Sequence, residues 1–202
     1  EADGIANDLA KAEYAVKTAA TKQVARQPAP PFITSTLQQE AWQRLHFTAG
    51  RTMAIAQQLY EGLPLGREGS VGLITYMRTD STHVAASAID EAREFISEKY
   101  GAKFLPPKAR SFARKAKWAQ EAHEAIRPTQ IHRQPEQLKP FLDSAQLKLY
   151  ELIWKRMVAS QMSAALYNVT NVEIEASNTK NQPQGYLLKV SSSVVKFPGF
   201  MV

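Results

Sequence analysis

The hydrophobic period of this chain changes twice, and those changes constrain its fold more than any single residue. From Pro31 to Ser163 apolar residues recur at the i, i+3, i+4 spacing of a helix face. Leu37, Ala41 and Leu45 make one stripe, and Thr52, Ala56, Leu59 and Tyr60 a second. Ala85, Ala88, Ile89, Ala92, Phe95 and Ile96 make a third. The fourth and longest runs from Ser144 to Met162, with Leu147, Tyr150, Ile153, Trp154, Met157 and Val158 on its apolar side. Outside this block the helical spacing disappears. Tyr14 to Val24 alternates in part, while Tyr167 to Glu175 and Gly185 to Phe197 are rich in Val, Ile, Tyr and Ser, as strands are. Entry to the helical block is through Gln27-Pro-Ala-Pro-Pro31, whose prolines hold an extended chain. The expected class is therefore α+β: a mainly helical domain, residues 31–163, inserted into a β-rich domain made of residues 1–30 and 164–202.

Local signals refine that outline. Thr36 with Gln39 reads as a capping box for the first helix. Thr48 reads as the N-cap of the second and Gly62 as its stop. Asp80 or Ser81 is the expected cap of the third, which Gly101 ends. Trp118 to Ile126 reads as a short helix stopped before Pro128. A shift of apolar phase between Val169 and Val172 reads as a β-bulge, and Asn178 to Gln184 as the turn between two strands.

Composition narrows the function classes. The 202 residues are 44% hydrophobic and 22% charged, an ordinary globular balance. No apolar run approaches the roughly 18 residues that span a membrane, and Glu1-Ala-Asp-Gly4 has neither the basic region nor the apolar core of a signal peptide. The absence of an initiator Met points to a piece of a longer or processed protein. There is no Cys, which excludes disulfides and thiolate metal sites and fits a reducing cytoplasm. Net charge is +6, unevenly placed. Between Ala102 and Trp118 stand Lys103, Lys108, Arg110, Arg114, Lys115 and Lys117, with Phe104, Phe112 and Trp118 among them and no acid. Such a stretch suits a nucleic-acid strand, by phosphate neutralisation and base stacking; it equally suits a solvated surface loop.

The residues with chemical potential lie in Gly72-Leu-Ile-Thr-Tyr-Met-Arg-Thr-Asp-Ser81. An apolar run, Val71 to Ile74, delivers the Tyr76 phenol at its end, with the Arg78 guanidinium two residues on. In an extended segment those two side chains face the same way. Arg78 keeps its charge and offers a fork matched to phosphate oxygens. A phenol is a weak nucleophile at neutral pH, but it attacks a phosphodiester once its proton is removed and the developing charge is stabilised. The plain alternative is a core aromatic followed by a helix cap. His123, in Ala119-Gln-Glu-Ala-His-Glu-Ala-Ile-Arg-Pro128, is flanked by Glu121 and Glu124, either of which raises an imidazole pKa if it faces the ring. Near a phosphate it would donate or relay a proton; otherwise it is a surface or capping residue. Arg127 occupies the position where a zinc-protease motif needs a second His, so that motif fails. No Asp-x-Asp pair and no Gly-rich loop with Lys-Ser/Thr occurs, so neither a metal site nor ATP is indicated.

Three segments together carry a family resemblance. Gly72 to Ser81 resembles the active-site motif of type IA DNA topoisomerases, and Met77 within it resembles the bacterial topoisomerase I branch. Pro31-Phe-Ile-Thr-Ser-Thr-Leu-Gln-Gln-Glu-Ala41 and Gln120 to Pro128 resemble two further segments of that family, in the same order. The resemblance implies an ATP-independent isomerase that relaxes negatively supercoiled DNA. Tyr76 would cut one strand, become linked to its 5′ phosphate and leave a 3′ hydroxyl that later reseals the break after strand passage. Arg78 would position the phosphate and His123 would act beside it. Arg78, Lys115, Lys117 and Arg127 are the expected DNA contacts, chiefly to single strands. The helical block would bear the nucleophile and the β-rich parts would belong to a hinged arch. In that family the acidic residues and Mg²⁺ ligands lie in a toprim domain, which this sequence lacks. It would thus be an interior piece, cytoplasmic and nucleoid-associated in its parent, inactive in relaxation by itself. A non-catalytic helical module that binds single-stranded DNA through residues 102–118 is the competing reading.

Overall fold

A computed structural model describes residues 2–112, 123–177 and 185–202. In chain order its elements are α1 (Ala2–Ala10), β1 (Glu13–Arg26), α2 (Thr34–Leu45), α3 (Ala49–Glu61), the two-residue strands β2 (Leu63–Pro64) and β3 (Ser70–Val71), α4 (Ala86–Tyr100), the short α5 (Pro135–Leu138), α6 (Ser144–Gln161), β4 (Ala165–Ser177) and β5 (Tyr186–Phe197). The fold is α+β. It divides into two compact units, one of residues 1–26 and 165–198, the other of residues 27–164 and 199–202.

The first unit is a three-stranded antiparallel sheet in the order β1-β4-β5, with α1 ahead of it. Residues 2–10 belong to this sheet unit and are helical; the Tyr14 hydroxyl donates to the Leu9 carbonyl and the Tyr186 hydroxyl to Asp8 Oδ2, joining helix to sheet. The expected bulge between Val169 and Val172 is absent, since both residues pair in register with β1 and β5. The irregularities lie between Val16 and Thr18, where Lys17 is the extra residue, and between Leu166 and Tyr167. An apolar phase change in β4 therefore reflects which faces are apolar and not a break in the ladder. Residues 178–184, read as a turn, lie outside the described residues.

The second unit is helical around a continuous core. Leu37 and Ala41 of α2, Ile55, Ala56 and Leu59 of α3, Ala92, Phe95 and Ile96 of α4, and Leu149, Tyr150, Ile153, Trp154 and Met157 of α6 are buried. The polar tips of the large α6 aromatics are satisfied, as buried aromatics require: Tyr150 donates to the Arg133 carbonyl and Trp154 Nε1 to the Ile131 carbonyl, each over less than 3 Å (2.7 and 2.8 Å). Thr48 caps α3 through a bond accepted from the Arg51 N–H, and Gly62 ends it with φ of 113°. Asp143 caps α6, accepting from Ala145 and Gln146 N–H. Gly199 has φ of 52°, and a Cβ there would lie 2.4 Å from the Ala164 carbonyl, so only glycine lets residues 199–202 return to the end of α6.

Three cap readings need correction. Thr36 stands at the third position of α2, not at its cap; its hydroxyl accepts from the N–H of Ile33, the true N-cap. Asp80 and Ser81 do not cap α4, which starts at Ala86 with Ala85 as N-cap. Glu124, far along the chain, satisfies the Ala85 N–H instead, at 2.6 Å. Of the short helix expected from Trp118 to Ile126, residues 123–126 are non-helical and Ile126 bridges Phe32; the rest lies outside the described residues.

Candidate active site

The Gly72 to Ser81 segment is held from two sides. Its first half runs antiparallel to residues 125–129. Ile74 bridges Pro128, the Thr75 N–H donates to the Arg127 carbonyl at 2.9 Å, and the Thr129 N–H donates to the Leu73 carbonyl at 3.0 Å. The Thr75 hydroxyl donates to the Ala125 carbonyl at 2.7 Å and accepts from the Arg127 N–H at 3.0 Å, while the Thr129 hydroxyl reaches the Gly72 carbonyl at 2.8 Å. Behind it lies the end of α3: the Leu73 N–H donates to the Leu59 carbonyl at 2.7 Å, and a Cβ at Gly72 would sit 2.8 Å from the Tyr60 carbonyl. Glycine at 72 is what allows this approach.

The second half is fixed by Thr34, at the start of α2. Its hydroxyl lies 2.8 Å from the Met77 carbonyl and 3.0 Å from the Thr79 carbonyl, and it accepts from the Thr79 N–H at 2.9 Å. The Thr34 N–H also donates to the Thr79 carbonyl at 2.9 Å. Between these anchors exposure alternates. Tyr76, Arg78 and Asp80 are exposed; Met77 and Thr79 are buried. Met77, buried between the exposed Tyr76 and Arg78, anchors the segment to the core, and the backbone bends at Met77 and Arg78.

Tyr76 is 44% exposed and meets Tyr60 edge to face, with ring centroids 5.3 Å apart. Among the described residues neither the Tyr76 hydroxyl nor the Arg78 guanidinium has a hydrogen-bond or ion-pair partner. The hydroxyl-rich turn that follows closes on itself, the Ser81 N–H donating to the Thr79 hydroxyl and the His83 N–H to the Ser81 hydroxyl.

His123 is exposed, on the approach to the segment that braces Thr75. Glu124 does not serve its imidazole: one carboxylate oxygen accepts from Ala85 N–H and the other pairs with Arg127 Nη2 at 2.7 Å. Glu121 lies outside the described residues, as do Lys115 and Lys117. Arg127, expected as a DNA contact, has only 12% of its side chain exposed and is committed to Glu124 and to the Pro128 carbonyl; the geometry gives it a bracing position. Arg110 of the basic stretch is likewise engaged, with the Met162 carbonyl and with Gln27. Sequence reading passed over Thr34, Thr75, Thr129 and Tyr60. The threonine bonds join residues about 40 to 60 positions apart, and a threonine carries no local sign of such a partner; Tyr60 meets Tyr76 by ring contact alone. Among the described residues no three His, Asp or Glu side chains gather as a metal site. A cavity of about 370 Å³ beside Phe47, Arg51, Asp143 and Lys148 contains none of the candidate residues.

The whole chain, residues 1–202, matches the family described as DNA topoisomerase. It is 48% identical over 193 residues to DNA topoisomerase 1 of Xylella fastidiosa, covering 96% of this chain and 23% of that protein. It is 46% identical over 200 residues to DNA topoisomerase 1 of Rickettsia bellii, covering 99% of this chain and 24% of that protein. Full-length topoisomerase I from Thermotoga maritima superposes with a TM-score of 0.82 at 39% identity, over 99% of this chain and 31% of that one. The chain spans about a quarter of the length of the curated relatives it matches. With its full length inside the family model and its backbone reproduced in a solved relative, the chain belongs to the bacterial DNA topoisomerase I family.

Proposed function

We propose that this chain supplies the nucleophile of a type IA DNA topoisomerase, acting with further domains on single-stranded DNA. The observation that carries the reading is the braced segment itself, on which Tyr76 and Arg78 are exposed on either side of a buried Met77 and, among the described residues, have no partner for the phenol or the guanidinium. In the cleavage step the Tyr76 oxygen, its proton removed, attacks the phosphorus of a phosphodiester. The bond from phosphorus to the 3′ oxygen breaks, and that oxygen leaves as a hydroxyl once protonated. The phosphate stays joined to Tyr76 through the 5′ side. Reversal by the 3′ hydroxyl restores the strand. Because the phosphotyrosine ester conserves the bond, no ATP is consumed. Arg78 would hold the non-bridging oxygens and stabilise the charge that builds on them. His123, exposed on the neighbouring segment, would contact the phosphate or pass a proton. Lys115 and Lys117 would add strand contacts; Arg127 would support the site through Thr75. Mg²⁺ would be held by acidic groups of a toprim domain, and no step here runs through it. The parent enzyme would work in the cytoplasm on the nucleoid.

The test uses a single-stranded oligonucleotide labelled at its 3′ end, mixed with the chain and Mg²⁺, with and without a toprim domain from a topoisomerase I. A denaturant-stable adduct that needs both the toprim domain and Tyr76 establishes the nucleophile and the 5′ linkage together. Tyr76→Phe should abolish the adduct and leave binding nearly unchanged. The chain alone should not relax a supercoiled plasmid; relaxation by the purified chain would refute the divided site. Strand binding with no adduct, even in a polypeptide that joins chain and toprim domain, would favour the non-catalytic DNA-binding module.

A further inference from the structure

We propose that Thr34 is a positioning residue for the Tyr76–Arg78 pair, an inference that rests on the reading of Tyr76 as nucleophile. Thr34 lies in α2, yet its hydroxyl contributes nothing to that helix. The first turn of α2 is closed by Thr36, which accepts the Ile33 N–H at 3.0 Å. The Thr34 hydroxyl turns away to the Met77 and Thr79 carbonyls and the Thr79 N–H, at 2.8, 3.0 and 2.9 Å. The Met77 carbonyl and the Thr79 N–H belong to the peptide groups on either side of Arg78. One hydroxyl, with one proton to give and lone pairs to accept, therefore fixes both ends of the bend that carries the guanidinium. Its own position is set from below: Phe32, two residues earlier, is fully buried, bridged to Ile126 and covered by the Arg156 guanidinium 4.2 Å from its ring centroid. Removing the hydroxyl leaves Met77 and Thr79 peptide groups short of partners, so the bend relaxes and Arg78 no longer meets the phosphate in line with the Tyr76 oxygen.

The experiment uses this chain joined in one polypeptide to the remaining domains of a bacterial topoisomerase I. It measures the rate of covalent capture of a 3′-labelled single-stranded oligonucleotide at saturating DNA. Thr34→Val, which keeps shape and loses the hydroxyl, should slow capture by about 10- to 100-fold, the scale of a small misplacement of reacting groups. Binding of the oligonucleotide should change little, and Thr34→Ser should restore the rate. In an Arg78→Ala background Thr34→Val should cost no more than about twofold, because the two act as a unit. Full additivity of Thr34→Val and Arg78→Ala would overturn the positioning role, as would a Ser variant as slow as Val. Should Thr34→Val fail to fold, Thr34→Ala takes its place; loss of the folded helical unit in both, read by tryptophan fluorescence, would assign the hydroxyl to stability and sink the proposal. Capture that persists in Tyr76→Phe would instead defeat the nucleophile reading. Capture lost in Tyr76→Phe but undiminished in Thr34→Val would defeat only this inference.

Discussion

The two units of this chain hold together by different means. In the helical unit apolar side chains from α2, α3, α4 and α6 close on one another, and Ile153, Leu149 and Met157 are fully buried. In the sheet unit all 14 residues of β1 are exposed, so that strand is held by its backbone ladder and by contacts across it. The sheet is nevertheless amphipathic. By register Tyr14, Val16, Ala19, Val172, Ile174, Ala176, Tyr186, Leu188 and Val190 share one face, while Thr18, Glu173, Glu175 and Lys189 share the other. Val16 is 66% and Val190 55% exposed. Burial of apolar surface is the main favourable term in folding, so most stability resides in the helical unit. The residues proposed for chemistry lie there, on a segment with two sets of braces. A reacting group needs that rigidity, since a strand position held by a ladder alone wanders further than a phosphate tolerates.

The widest gap between the units should come from the core. Ile153→Ala should cost the helical unit about 2–5 kcal/mol, from lost transfer energy and a cavity. Val190→Ala, a similar truncation on an exposed strand, should cost under about 1 kcal/mol. Urea unfolding followed by tryptophan fluorescence, all three tryptophans lying in the helical unit, for the first and by far-ultraviolet circular dichroism for the second makes the comparison. Equal costs would mean that the apolar face of the sheet is covered in solution. A smaller contrast concerns ion pairs. Arg156 and Glu40 are paired with only 17% of either side chain exposed, and Arg156 also covers Phe32. Burial lowers the Arg156 pKa from its ordinary value, though the group stays charged at neutral pH. Arg156→Met should destabilise the helical unit by roughly 1–3 kcal/mol, because Glu40 keeps only the exposed Arg44 as partner and the Pro30 carbonyl loses its donor. A neutral result would show that the pair is no stronger than a surface one.

The same contrast explains what could be read from sequence. Helical stripes were legible because a one-sided core imposes a period, and the strands were legible because β-branched residues cluster in them. Tyr76 and Arg78 drew notice by residue type and spacing, and the structure leaves both exposed around a buried Met77. What escaped is what depends on distant partners. Asp80 and Ser81 look like a cap, but Glu124 does that work from 39 residues away. Gln120 to Pro128 has helix-forming residues, yet from residue 123 it is drawn out flat by bonds to His83, Phe32 and Thr75. Arg127 looks like a free cation and is tied to Glu124. Thr34 could not be singled out, since its role is defined by three peptide atoms more than 40 positions on.

Alkaline pH should separate the units again, by a lesser amount. Burial raises the Tyr150 phenol above its ordinary value of 10.0, with Glu91 adding to the effect and Arg133 opposing it. A raised pKa in the fold means that its contribution is complete below about pH 10 and is lost as pH rises toward the folded value. The transition reported by tryptophan fluorescence should therefore weaken above about pH 10. Tyr150→Phe should start less stable by about 1 kcal/mol, for the lost bond to Arg133, and show a flatter alkaline slope. An unchanged slope would place the sensitivity on another group.

The smallest effect expected is in the sheet, where exposed pairs cross the strands. Lys17 meets Glu175 at 2.5 Å and Lys189 meets Glu173 at 2.8 Å, each with a well-exposed lysine. The hydrogen bond and charge of Lys189 hold the Glu173 carboxyl below its ordinary value. A depressed carboxylate pKa contributes stability above the unfolded value, and that stability is lost as pH falls through the folded one. The Lys17 pKa, raised by Glu175, has the opposite sense and is lost above its ordinary 10.5. All of these groups are solvated, so Glu173→Gln should alter sheet stability little at neutral pH, and added salt should erase what remains. If acid or salt instead melts the sheet while tryptophan fluorescence still reports a folded helical unit, the cross-strand charges are what hold the exposed strands together. The contrast between the units would then be one of charge against burial, and not of weak burial against strong.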